Sequence, residues 1–296
     1  MIIVVSSYFL HSIIPSENYV IKSKVRYNWY IAACLFNNSK ILDNWTQELL
    51  LLINELKPPN VFVSIMENGD STDNTISQLN AFRIKLNEAN IQNTIITKKI
   101  IQKSFHRFNY LSEIRNEALE PLYNLKWNAI DTRIIFLNDI YYKVSDVINL
   151  INTNNMEYDF ACGLDFYYAF YDVLVSRDFN KRNLMNYYPY FKNPVDQKLV
   201  RNGLPVRVFS GWNGVVIMKA APFINHNVFF RENQLDETME SECYFICKDF
   251  WKLGFNRIYI NPNVKVAYSP IFYYLHKYCM GPVNIFMDWY YWLIED

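Results

Sequence analysis

Asp139 closes an apolar run, Ile-Phe-Leu-Asn-Asp at 135–139. An acid in that position suits a hard divalent cation, which takes oxygen ligands. Such a cation neutralises a phosphate polyanion and turns it into a better leaving group. The plainer reading is an Asp that caps a local turn. Asn138 beside it offers only a neutral carbonyl, so the pair departs from a two-carboxylate Asp-x-Asp. Arg115 carries a planar fork matched to phosphate oxygens, and a helix-surface salt bridge competes with that use. Glu67, followed by Asn68 and Gly69, either accepts hydrogen bonds from a ligand or braces its own turn. Glu242 stands near the start of a helical stretch, where a carboxylate gains from the helix dipole whatever else it does. Asp165 ends another apolar run, and Asn37 follows a third. Trp212-Asn213-Gly214 combines an apolar ring, an amide and a permissive backbone; a packed Trp before a β-turn has the same composition. Arg107 and His106, in an expected loop, are weaker sources of positive charge.

Side chains so far apart in sequence need a scaffold that gathers strand ends. Tyr-Ile-Ala-Ala-Cys-Leu-Phe at 30–36 predicts a buried strand. Ser39 is placed to cap a helix carrying Ile41, Trp45, Leu49, Ile53 and Leu56, closed by Pro58-Pro59. A strand at 61–65 follows, then a helix opened by Ser71 and Asp73, a short strand at 94–97, a helix through Leu111, Ile114, Ala118 and Leu122, and a strand at 133–137. Strands alternating with amphipathic helices argue for a mainly parallel sheet covered on both faces. Beyond Asp139 the pattern loosens. A short helix near 145–151 precedes a strand at 160–165, and residues 166–205 read as a polar, aromatic excursion over the sheet. Runs at 206–209 and 214–218 look like a strand pair, a helix spans about 240–253 before Gly254, and strands at 257–260 and 264–268 close the domain. The absence of repeats and of Gly/Ser linkers leaves one domain, 27–269, between a tail at 1–26 and an aromatic tail at 270–296.

Composition narrows the function classes. Lys+Arg 29 against Asp+Glu 29 gives no general positive field for nucleic acid, and no nucleic-acid partner is expected. Neither G-x-x-x-x-G-K-[ST] nor G-x-G-x-x-G occurs, which excludes the ordinary P-loop and Rossmann fingerprints. Five cysteines, an odd number, do not make a disulfide framework. Cys243 and Cys247 are spaced i, i+4 without two further zinc ligands and read as buried small hydrophobes. The first 14 residues, Met1 to Ile14, are apolar but too short to span a bilayer, and read as a shortened anchor or as the tail of a soluble protein. Sequons stand at Asn37 and Asn44. Of these, Asn37 is expected to stay unmodified because it lies at a strand end, and Asn44 is the less constrained. The aromatic runs at 271–275 and 289–294 either cover the sheet or meet a membrane surface.

In open α/β sheets, ligands bind beyond the carboxyl ends of the strands. With Phe36-Asn37-Asn38, Glu67 to Asp73, and Asn138-Asp139 at those ends, the layout resembles nucleotide-sugar glycosyltransferases of the GT-A fold. Arg115-Asn116 resembles the Ala-Arg-Asn element of many such enzymes. The stretches at 32–38, 60–69, 113–121, 135–139, 161–166, 212–214, 241–251 and 257–262 come in the order found in the fungal cryptococcal mannosyltransferase and capsule-associated family. The chain resembles that family from about Tyr27 to Tyr268. The resemblance implies an α/β, GT-A-like, Rossmann-like and mainly parallel central sheet, helices on both faces, and a small antiparallel extension. It implies a retaining α-1,3-mannosyltransferase that uses GDP-mannose and a glycan acceptor, with Mn²⁺ or Mg²⁺. Asp139 would meet the metal. Asn37, Glu67, Asn68, Arg115, Asn138, Trp212 and Asn213 would line the donor, and Glu242 and Asp165 would face the reaction. Fungal members are usually Golgi membrane proteins with a lumenal catalytic domain, so that location is expected, with the cytoplasm as alternative. Two rival classes remain. One is a non-catalytic glycan-binding or scaffolding protein on the same fold. The other, a sugar-nucleotide pyrophosphorylase, would want a Gly-rich loop where Phe36-Asn37-Asn38 stands.

Overall fold

The computed structural model describes residue 21 and residues 26–99 and 107–280. The expectations for residues 1–14, for His106 and for the run at 289–294 lie outside the described residues.

The chain begins as expected. Strand β1 (Asn28–Leu35) leads to helix α1 (Ser39–Leu56), β2 (Val61–Glu67), α2 (Thr75–Glu88), β3 (Gln92–Thr97), α3 (Arg107–Asn124) and β4 (Thr132–Leu137). β1 pairs in parallel with β2 and with β4, and β2 pairs in parallel with β3. Successive side chains of a strand point to opposite faces. Tyr30 and Ala32 therefore join one core with Ile114 and Ala118 of α3. Trp29, Ile31, Ala33 and Leu35 join the other, with Trp45 of α1, Leu79 of α2 and Ile148 of the later helix α4 (Val144–Ile151). Both faces are covered, which is why the strands read as continuous apolar runs.

The second half departs from the sequence reading. It contains β5 (Phe160–Phe166), β6 (Arg177–Asp178), α5 (Pro194–Arg201), β7 (Val206–Ser210), β8 (Val215–Lys219), α6 (Ala221–His226), α7 (Glu242–Lys252), β9 (Ile258–Ala267) and α8 (Pro270–Tyr274). The strand order is β3-β2-β1-β4-β8-β5-β9-β7-β6. β7 and β8 are not a pair: β7 lies antiparallel to β9 and β6, and β8 lies antiparallel between β4 and β5. The antiparallel element is thus inside the sheet as well as at its edge. The strands expected at 257–260 and 264–268 are one strand, β9, whose register against β5 shifts between Cys162 and Leu164.

The segment from Gly211 to Gly214 joins β7 to β8 by packing against β5. Asn213 Nδ2 donates to the Gly163 carbonyl at 2.8 Å. Gly214 has φ +76°, and a Cβ there would come within 2.9 Å of Ile140 and 3.2 Å of Asp165. Only glycine fits both the left-handed backbone and the close approach.

After β9, Tyr273 is buried and its hydroxyl donates to Asp146 Oδ2 at 2.8 Å. Lys277 Nζ lies 2.6 Å from Asp146 Oδ1, and the His276 ring stacks on Phe166 at 4.1 Å. Residues 270–280 fold back onto the domain. No helix among the described residues is long and apolar enough to cross a membrane.

Candidate functional site

The carboxyl ends of β1, β2, β4, β5 and β9 share one edge, because these strands run in the same direction. Two groups of the expected residues gather there. The first brackets the ends of β1 and β2. Asn37, at φ +53°, donates its N–H to Ser71 Oγ at 3.0 Å and accepts from the Thr72 N–H at 2.8 Å. Glu67 is fully buried and accepts from the N–H groups of Gly69 at 2.8 Å and Ser71 at 3.2 Å. It braces its own loop and presents no exposed oxygen to a ligand. Asn68 Nδ2 donates to the Tyr110 hydroxyl at 2.9 Å. Ser39 does not cap α1 with its side chain; its N–H instead donates to Asp73 Oδ2 at 3.0 Å, while Asp73 Oδ1 accepts from Thr75 N–H at 2.9 Å. One carboxylate thus opens two helices and holds the loops together.

The second group surrounds Arg115. Its Nη1 lies 3.0 Å from Glu242 Oε1, and the two side chains are only 12% and 3% exposed. The guanidinium sits 5.2 Å from the centre of the Trp212 ring and 5.9 Å from that of Phe230. Cation–π contact of this kind gains strength when the cation is desolvated. Arg115 is therefore neither a helix-surface residue nor an open phosphate fork. Trp212 is 2% exposed, packed between Phe136 and Phe230. Its ring carries Arg115 and has no open face for a sugar. Glu242 occupies the first turn of α7, whose Ncap residue, Ser241, accepts from the Cys243 N–H at 3.1 Å. Arg115 Nε and Glu242 Oε2 have no hydrogen-bond partner although both are buried. Asn116, next in the chain, clamps the Phe230 backbone through its carbonyl at 2.9 Å and its amide at 2.8 Å.

Acids ring this pair. Asp139 accepts one long hydrogen bond, 3.4 Å from Asn38 Nδ2, and burial pushes its carboxyl above the usual range against the opposing pull of Asn38 and Arg115. Asn138 uses its backbone: its N–H donates to the Gly214 carbonyl at 3.0 Å and its carbonyl accepts from Trp45 Nε1 at 3.1 Å. Asp165 is fully buried, receives the Tyr268 hydroxyl at 2.8 Å, and is pushed well up by burial and by the neighbouring charge of Asp172. Asn213 is also fully buried, its carbonyl oxygen accepting from Ser176 Oγ at 2.7 Å. Its N–H, at φ +53°, donates to Asp172 Oδ2 at 3.0 Å.

Asp172 was not singled out by the sequence. It lies in the aromatic excursion that shows no periodicity, and the only signal there was a carboxylate among tyrosines. Burial first, then the Glu242 charge, push it up to about 6, opposed by the Asn213 N–H and by Arg115 and Arg177. Asn38 and Tyr268 were likewise missed. Burial opposes the charge of Arg115, but the carboxylates it faces, Glu242 and Asp172, outweigh it and hold the guanidinium protonated. Cys243 and Cys247 are buried free thiols, as expected. Among the described residues no group of three or more His, Cys, Asp and Glu side chains could hold a metal ion on its own.

The sequence model of the family described as Cryptococcal mannosyltransferase 1 matches residues 28–249. The alpha-1,3-mannosyltransferase CMT1 of Cryptococcus neoformans is 29% identical over 252 residues, covering 75% of this chain and 53% of that protein. The chain therefore spans about half the length of the curated relative it matches. Among solved structures, GalNAc-T7 with UDP, GalNAc and Mn²⁺ aligns with a TM-score of 0.51 at 11% identity, over 83% of this chain and 44% of that one. Staphylococcus aureus TarS in complex with UDP aligns with a TM-score of 0.45 at 15% identity, over 81% and 60%. The fold is that of the GT-A glycosyltransferases. With the family match running through nearly all of the sheet and both groups of site residues, the chain belongs to the cryptococcal mannosyltransferase 1 family.

Proposed function

We propose that this chain is a glycosyltransferase that moves mannose from GDP-mannose to a glycan hydroxyl, forming an α-1,3 linkage with retention. The observation that carries the reading is the meeting of Asp139, Arg115, Asp165, Asp172 and Glu242 at one sheet edge, in a chain whose relative is named an α-1,3-mannosyltransferase. Transfer from a nucleotide sugar needs charge stabilisation at the departing diphosphate, supplied by groups fixed in advance. Arg115 is fixed, but Glu242 already balances its charge.

A divalent cation, Mn²⁺ or Mg²⁺, fits this donor set as an ion shared with substrate. Asp139 is a half-buried carboxyl with one long side-chain hydrogen bond that would hold it, and phosphate oxygens and water would complete its shell. When bound, the cation supplies the positive charge that the leaving diphosphate requires. Asn38 donates to the Asp139 carboxyl, and the Trp212 ring packs on the Arg115 guanidinium.

The test is thermal stabilisation by GDP with and without Mn²⁺, followed by GDP release from GDP-mannose. Stabilisation that needs Mn²⁺, with GDP release and an α-anomeric proton in the product, is the expected result. Sugar binding without GDP release on any donor would instead mark a glycan-binding scaffold.

A further inference from the structure

Asp172 stands in the loop that follows β5. Asp165 is the post on which this loop is built. The Asp172 N–H donates to Asp165 Oδ1 at 3.2 Å, and the Tyr171 N–H donates to the Asp165 carbonyl at 3.0 Å. On the far side, Asp165 Oδ2 holds the Tyr268 hydroxyl at 2.8 Å, and the Tyr268 ring meets the Tyr171 ring edge-on at 4.9 Å. Tyr171 is nonetheless 55% exposed. An exposed aromatic ring and a carboxylate thus sit on adjacent residues, both braced by one buried Asp.

This pairing has a chemical match. A pyranose ring has a C–H face that packs on an aromatic ring and hydroxyls that donate to a carboxylate. The Asn213 N–H occupies one acceptor position of Asp172, and a carboxylate offers about four. The nearby guanidiniums are already paired, Arg115 with Glu242 and Arg177 with Glu240, which suits a neutral sugar over an anionic partner. We propose that Tyr171 and Asp172 form the acceptor-sugar subsite: the Tyr171 ring carries the sugar's C–H face, and Asp172 accepts a hydrogen bond from the hydroxyl that is to be glycosylated. This assignment rests on the transferase reading for its purpose, but not for its physical content.

Saturation-transfer NMR on the full chain, without donor, tests it directly. The probes are methyl α-mannoside, α-1,3-mannobiose, and xylose and glucose disaccharides. Wild type should transfer saturation to at least one of them. Tyr171→Ala should weaken that binding by about tenfold or more, Tyr171→Phe should restore it, and Asp172→Ala should weaken it while leaving the fold intact. Ile130→Ala, exposed before β4, should change nothing. No transfer to any sugar with wild type, or equal transfer with Tyr171→Ala, overturns the subsite. GDP release from GDP-mannose, with the bound sugar supplied as acceptor of the mannosyl group, is read separately. Sugar binding that depends on Tyr171, with no GDP release, would remove the mannosyl-donor reading and leave the subsite standing.

Discussion

Arg115 and Glu242 form a buried ion pair, 3.0 Å from Nη1 to Oε1, although 127 residues separate them in the chain. α3 brings one partner and the first turn of α7 the other, and Trp212 closes the guanidinium from its ring face. The charge of each partner is balanced by the other, so the site cannot lose one of them quietly.

Glu242→Gln keeps the size and removes the charge. It strands the Arg115 guanidinium, so stability should fall by about 3 to 5 kcal/mol, the scale for a broken buried pair. Transfer by the folded fraction should fall by at least about a hundredfold. Urea unfolding and assay of the same preparation check both. The double change Arg115→Met with Glu242→Leu should regain most of the stability and none of the activity. Unchanged transfer in Glu242→Gln would reduce Glu242 to an acid that starts a helix.

Asp139→Ala removes the carboxyl at the end of β4, whose side-chain partner is Asn38 Nδ2 at 3.4 Å. The unfolding midpoint should stay near that of the wild type, because burial already disfavours the Asp139 charge. Mn²⁺-dependent stabilisation by GDP should disappear. Turnover of GDP-mannose at the wild-type rate by this variant would refute the assignment of Asp139 to the metal.

Stability should depend on pH in two opposite senses. Asp172 rises from 3.8 to about 6 on folding, mainly by burial. A group raised in this way stabilises fully below its unfolded pKa, and the contribution is lost as pH rises through the folded value. Asp139 and Asp165 act in the same direction. Glu237 is lowered, first by the Arg231 guanidinium, and Asp159 is lowered because Arg257 and Lys219 outweigh its burial. Their contributions are present above the unfolded carboxyl range and vanish as pH falls. Urea midpoints should therefore climb up to about pH 4 and decline from about pH 4 to 6. Asp172→Asn should flatten the decline; an unaltered slope would assign it to the other two acids.

The first half of the fold was legible because β1, β2 and β4 are nearly continuous apolar runs and each helix between them has one apolar face. The end of α1 was legible too, through Pro58-Pro59 after Leu56. What periodicity does not encode is which strand lies beside which. β7 and β8 follow each other closely in sequence, yet β5 and β9 lie between them, because Gly211 and Gly214 let the joining segment pack tightly against β5. The cap of α1 was misread for a similar reason: it comes from Asp73, 34 residues later. In the site, Asp139, Asp165 and Glu242 were visible as acids at the ends of apolar runs. Asp172 was not, because a turn braced by Asp165 leaves no repeating pattern. Arg115 was visible as a charge, but its burial depends on Trp212 and Glu242, which only the folded chain brings near.

Both sequons should remain free of glycan in folded, active protein made through a secretory pathway. Asn44 was the less constrained by sequence, but the structure ties it down. Its Nδ2 donates to the Tyr142 carbonyl at 3.1 Å, and its Oδ1 accepts from Lys143 Nζ at 3.0 Å. Asn37 Oδ1 is held by the Thr72 N–H at 2.8 Å, beside the expected nucleotide. Peptide mapping after enzymatic deglycosylation reads occupancy at each position. An occupied Asn37 on active protein would contradict the placement of the nucleotide.

Lys277 ties the aromatic segment after β9 to the domain. The Lys277 ammonium lies 2.6 Å from Asp146 Oδ1, and Asp146 is fully buried beneath it. Tyr273 adds a second hydrogen bond to the same carboxylate. Cutting the chain after Ser269 would strip Lys277 and Tyr273 from Asp146 and leave it the Lys143 N–H, so loss of lipid binding by such a truncation would say little about membranes. Lys277→Met leaves the aromatics in place and strands only the carboxylate. If residues 270–280 serve the fold, this variant should lose about 3 to 5 kcal/mol of stability, and Lys277→Met with Asp146→Leu should recover most of it. Wild-type protein should then show no more flotation with liposomes than the double variant. A Lys277→Met protein as stable as wild type, with wild type floating on neutral vesicles, would instead make the segment a membrane contact.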